Sequence, residues 1–152
     1  MSDSIIEQIQ SNMTAAMKSK DADTLSTLRM LKSALMEAKT RKPRDASLSA
    51  DEEIEVLQRY AKKRRETIED LRKAGREDLV AREEQEIAVT TRYLPAAMGD
   101  DELRAVIRET VAQAGAAGPK DMGKVIGAVM GKVKGRADGG TVSKFVREVL
   151  AG

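Results

Sequence analysis

The stretch KDMGKVIGAVMGKVKGRADGGTVSKFVREVL, residues 120–150, decides how this chain is read. Met122, Val125, Ile126, Val129 and Val133 recur at steps of three and four. After a break, Val142, Phe145, Val146 and Val149 do the same. That period belongs to amphipathic helices, predicted here at about 119–134 and about 141–150. Gly123, Gly127, Gly131 and Gly135 recur every four residues, and a glycine inside a helix costs about 0.8–1 kcal/mol relative to alanine, so something should offset the loss. At about 100° per residue with Met122 as origin, the apolar residues fall within about 80° and the glycines between about 100° and 220°. Lys120, Lys124 and Lys134 share that second sector. The predicted helix has a core face and, opposite it, bare backbone flanked by lysines.

Three readings of the glycine face stand side by side. It lets a phosphate-rich partner approach the backbone while ammonium groups neutralise it, it lets another helix pack closely, or it is a solvated face where alanine drifted to glycine. The loop KGRADGGT adds Lys134 and Arg136 ahead of a helix start near Thr141, where free N–H groups could hold one backbone phosphate. The glycine spacing resembles a P-loop, but Thr141 stands at the lysine position and no strand precedes it, which excludes a nucleotide-hydrolysing site. Residues 120–147 carry seven basic side chains against Asp121 and Asp138, a local net of +5 in a chain whose total is +2.

Outward from this stretch, helical periodicity continues. Ile6, Ile9, Met13 and Ala16 form one stripe, and Leu28, Leu31, Leu35 and Ala38 another after a turn at Asp21–Asp23. The polar segment 41–50 ends in the capping-box pattern Ser49-Ala50-Asp51-Glu52. A long helix from Asp51 to about Ala74 is expected to bury Ile54, Leu57, Ala61, Ile68 and Leu71, ending at Gly75. Arg64 sits on that stripe, its stem buried and its head free. A fourth helix, about 77–93, turns Leu79, Ile87, Thr90 and Leu94 inward and stops at Pro95. A further helix is expected at about 101–114. The fold expected is therefore all-α, with a helical N-terminal domain (1–95) built on a long helical pair and a small three-helix domain (96–152).

The 152 residues contain no His, Cys or Trp, and the only aromatics are Tyr60, Tyr93 and Phe145. This excludes a Cys nucleophile, a His base, a disulfide, a Cys/His zinc site and a base-stacking sheet. No catalytic residues, metal ligands or cofactor site are recognised. The run Lys62–Arg65 points in four directions around a helix and reads as a solvated face. Glu83, Glu84 and Glu86 read as surface ion-pair partners of Arg76 and Arg82 rather than acid–base groups. The eight methionines fit packing in an aromatic-poor core. The N-terminus lacks the basic and apolar regions of a signal peptide and no membrane span is visible, so a cytoplasmic protein is expected.

The stretches TLRMLKSAL (27–35), AGRED, EEQEI and YLP (within 74–95) and residues 120–150 resemble the YqeY family. That family is similar at its C-terminus to the tail domain of GatB, a subunit of the glutamine-dependent aminoacyl-tRNA amidotransferase. Gly127, Met130, Lys134, Gly135, Arg136, Ala137 and Val142 match the shared pattern. Gly131, often lysine in GatB tails, departs from it and removes one possible phosphate contact. The resemblance implies a tRNA-binding or tRNA-metabolism accessory protein, non-catalytic by itself, with tRNA held by the C-terminal domain and an amidotransferase or aminoacyl-tRNA synthetase as protein partner. On this reading Lys120, Lys124, Lys134, Arg136 and Lys144 contact phosphate, while Gly127 and Gly135 permit close approach. Two alternatives remain open: a protein–protein interaction adaptor, and a component of a carbon–nitrogen ligase with glutamine as amido-N-donor. The amidase Ser-Ser-Lys arrangement has no counterpart here.

Overall fold

The computed structural model describes residues 3–151, which form α-helices and a single 3-10 turn and contain no strand. The chain divides into two compact units, Met1–Leu94 and Pro95–Gly152.

The first unit contains α1 (Ile5–Ser19), α2 (Ala22–Thr40), α3 (Ala50–Lys73) and α4 (Glu77–Thr91). α1 packs mainly on α2, and α3 on α4. Ile9, Ala16, Leu28, Leu31, Leu35, Leu57 and Val89 form a continuous core. Ser4 caps α1 in a capping box with Glu7, and Asp21 accepts from Thr24 N to cap α2. Between them Lys20 adopts φ 59°, a left-handed position more often held by glycine. The expected capping box at α3 forms as read, Glu52 N donating to Ser49 Oγ and Ser49 N to Glu52 Oε1. Gly75, at φ +71°, follows the end of α3.

The Glu52 carboxylate also accepts from Lys42 Nζ at 2.6 Å. That ammonium first, and then the Ser49 donors, push its pKa down from 4.5 to about 2. A depressed carboxylate stabilises the fold above its unfolded value and loses that contribution as pH falls through the folded one. The stability difference between the wild type and Glu52→Gln is therefore expected to shrink between about pH 4.5 and pH 2. Denaturant unfolding of the first unit across that range checks it.

A buried carboxylate ties α3 to α1. Glu53 is only 2% exposed, and its two oxygens accept from Ile5 N at 3.3 Å and Ile6 N at 2.9 Å. An anion at a helix N-terminus satisfies orphan donors and meets the positive end of the dipole. The inner row of α3 is thus Glu53, Leu57, Ala61 and Ile68, whereas Ile54 is only partly buried. On α4 the expected Leu79 is 41% exposed, and Val80, Val89 and Thr90 turn inward. Thr90 is buried as expected and Ile87 partly so; of the expected stripe only Leu79 is exposed.

The second unit contains α5 (Asp100–Ala114), the 3-10 turn Pro119–Asp121, α6 (Met122–Lys132) and α7 (Gly139–Ala151). Leu103, Ile107, Val125, Val129, Val133, Val142, Phe145 and Val146 are buried together. The predicted helix 119–134 is shorter than expected: its first turn is 3-10, and Val133 already leaves the α-helical ladder. α7 begins two residues before Thr141. Arg104 lies 4.3 Å above the Phe145 ring and spans Asp101 and Glu148, each at 3.8 Å, joining α5 to α7.

Candidate nucleic-acid interface

α6 is two-faced in the way its sequence implies. Val125, Val129 and Val133 are fully buried, and Gly123, Lys124, Gly127 and Gly131 are exposed. A Cβ built on Gly123, Gly127 or Gly131 would meet no atom within 4 Å, and none of the three has positive φ. Neither backbone conformation nor packing within the second unit requires glycine there. Lys120, in the 3-10 turn, and Lys124, in the first turn of α6, are exposed and lie four residues apart, with Gly127 three further along.

The remaining predicted residues are distributed differently. Lys134 and Gly135 form the turn after α6, closed by Arg136 N donating to Val133 O at 2.8 Å. Gly135 adopts φ +76°, so its glycine is required by the turn itself. Lys134 is exposed in this turn, and Lys144 is exposed on α7.

Arg136 is engaged internally. Its guanidinium donates to both Glu102 oxygens at 3.3 Å and to Ala96 O at 3.1 Å, and its carbonyl accepts from Met98 N. It clasps the segment leading into α5, and a phosphate would have to displace a bidentate carboxylate to reach it. The anion position expected at the start of α7 is likewise filled by the chain's own carboxylate. Asp138 accepts from Thr141 N at 3.0 Å and from Thr141 Oγ1 at 2.9 Å. A Cβ on Gly140 would stand 3.1 Å from Asp138 Oδ1, so this glycine makes room for the cap. Lys132 is anchored to Thr110 Oγ1 and Gln113 Oε1. Of the predicted group, Lys124 and Gly127 lie on the open face of α6, and Lys120 is exposed in the turn that precedes it.

In the first unit, Lys62, Lys63 and Arg65 are exposed, but the head of Arg64 is not free. It lies 3.5 Å from Glu83 and 4.0 Å from Glu86, 5.2 Å above the Tyr60 ring, with its Nε buried and unpartnered. Burial first, then the neighbouring Glu83, raises the Glu86 pKa. Burial and the Glu86 charge push the Tyr60 hydroxyl to about 12. The expected pairing of the glutamates with Arg76 and Arg82 gives way to pairs with α3, Glu84 meeting Arg72 and Glu83 meeting Arg64, while Arg76 pairs locally with Asp78. Among the described residues no cluster of acidic side chains is suited to a metal ion, and no helix is long and apolar enough to cross a membrane.

Four helices in one unit and three in the next define an all-α protein. The chain belongs to the YqeY family, whose pattern, described as Yqey-like protein, matches residues 6–150. It is 31% identical to Altered inheritance of mitochondria protein 41, mitochondrial, from Pyrenophora tritici-repentis, over 96% of this chain and 81% of that protein. It is 36% identical to an uncharacterized protein from Schizosaccharomyces pombe over 57% of this chain and 69% of that protein.

Proposed function

We propose that this protein is a tRNA-binding accessory factor that engages the sugar–phosphate backbone through α6 and adds no catalytic group of its own. The observation that carries the reading is the open face of α6, where three glycines with nothing against them stand beside exposed Lys120 and Lys124. Close backbone approach and point cations are the means by which proteins hold phosphate without reading bases. The second unit offers no exposed ring on which bases could stack, since its one aromatic residue, Phe145, is buried. In this reading, chemistry belongs to a protein partner, an amidotransferase or an aminoacyl-tRNA synthetase. The proposal applies equally in the cytoplasm, the compartment expected from the sequence, and in the mitochondrion named for the Pyrenophora relative.

The test is tRNA affinity as a function of salt. Each neutralised phosphate contact removes somewhat less than one unit from the slope of log affinity against log salt. Lys120→Gln with Lys124→Gln should weaken binding and flatten the slope by up to about 2 units, leaving the fold intact because neither ammonium holds a structural partner in the second unit's core. An unchanged slope sinks the proposal. Arg136→Gln is expected to act differently, lowering the unfolding midpoint of the second unit by releasing Glu102 and Ala96. Partner capture that survives ribonuclease together with negligible tRNA affinity would instead support a protein adaptor.

A further inference from the structure

The first unit contains a cavity of about 320 Å³ between α2 and α4 that the RNA reading does not use. Its size is at the small end of the roughly 300–1,000 Å³ common for ligand pockets, suited to a metabolite. α2 contributes Asp23, Ser26 and Thr27, and α4 contributes Arg82, Gln85 and Glu86. Thr27 forms the buried floor, its hydroxyl 3.3 Å from both Asp23 O and Gln85 Oε1. Glu86 is the inner wall: Tyr60 donates to its Oε1 at 3.4 Å, while Arg64 sits 4.0 Å from its Oε2 and nearer, at 3.5 Å, to Glu83.

The charges around this cavity do not close. Glu83 and Glu86 share the single guanidinium of Arg64, so the inner wall holds two carboxyl groups for one cation, with burial and Glu83 raising the Glu86 pKa. Asp23 and Arg82 make no ion pair among the described residues, so the cavity presents one further anion and one cation. Glu86 is the partly buried one of these charges, whereas Asp23 and Arg82 are exposed, so what a ligand gains here is charge-assisted contact with all three rather than relief of desolvation. The complement to two carboxylates and one guanidinium is a small molecule with two cationic groups and one carboxylate.

We infer that the cavity between α2 and α4 binds a free basic α-amino acid, its two cationic groups meeting Asp23 and Glu86 and its carboxylate meeting Arg82. Ser26, Thr27 and Gln85 supply neutral donors and acceptors along the ligand's stem. The inference stands independently of tRNA binding, which lies in the other unit.

Amide-resolved NMR titration of the full chain with four probes tests it: L-lysine, L-arginine, norleucine, which lacks the side-chain cation, and cadaverine, which lacks the carboxylate. Lysine or arginine should give saturable shifts confined to α2 and α4. Norleucine and cadaverine should bind at least about tenfold more weakly, the loss of one charge-assisted contact. Arg82→Gln should bring lysine down to the level of cadaverine and leave cadaverine unchanged, and Asp23→Asn should weaken both. Both side chains are exposed and free of ion pairs, so these variants retain the fold. Absence of saturable shifts with lysine and arginine overturns the assignment, as does lysine binding that Arg82→Gln and Asp23→Asn leave intact.

Discussion

The combined variant Gly123→Ala, Gly127→Ala and Gly131→Ala is expected to be more stable than the wild type and a weaker binder of tRNA. Alanine removes backbone freedom from the unfolded chain and gains about 0.8–1 kcal/mol in a helix interior. At Gly127 the full gain is available, because an added Cβ meets open space and φ is helical. Gly123 and Gly131 lie one residue inside the two ends of α6 and contribute less, so the total is about 2 kcal/mol. The guanidinium midpoint of the second unit should rise with an unchanged m-value. The same three methyl groups cover the strip of backbone that the proposed function gives to phosphate, and tRNA affinity should fall by about tenfold or more. Stabilisation with undiminished affinity would assign the glycines to neutral drift and remove the interface. No change in stability would show that α6 is not the regular helix described.

Glu53→Ala is expected to destabilise the first unit by about 3 kcal/mol. Two hydrogen bonds to the Glu53 carboxyl group disappear, and Ile5 N and Ile6 N are left without these partners in a part-buried position. The truncated side chain also gives up volume at a position that is only 2% exposed. Glu53→Gln retains one acceptor oxygen but gives up the charge at the helix terminus, and should cost about half as much. Urea unfolding followed by helical circular dichroism, with the second unit as internal reference, distinguishes the two. Equal and small losses for both variants would mean that solvent already satisfies the start of α1.

The helices were legible because their apolar residues repeat at the helical period, and the α3 capping box because its four residues are contiguous. What was not legible depends on residues far apart in sequence. Nothing local marks Arg136 as the partner of Glu102, or Arg64 as shared between Glu83 and Glu86, so both guanidiniums read as free. Glu53 did carry a signal: it stands four residues before Leu57 and eight before Ala61, on the inner row, and an acidic residue there implies buried donors to meet it. The anion position at α7 was read from the amides alone, while Asp138, one residue ahead of the helix, is the anion that takes them. On α6 the glycine period showed where the open face lies, but only the space around it showed that nothing within the second unit packs against it.

The Glu53 bridge also sets an order in time. Residues 47 and 48 positions apart must meet before the first amides of α1 are covered, and closing so long a loop is a slow, entropically costly step compared with winding a helix. During synthesis the Ser4–Glu7 box caps α1 early, yet Ile5 N and Ile6 N find their carboxylate only once the start of α3 has left the ribosome. The hairpin of α1 and α2, local in sequence, forms without it. Substitutions at Glu53 should therefore accelerate unfolding while leaving the folding rate nearly constant, the kinetic mark of a contact made after the barrier has been crossed.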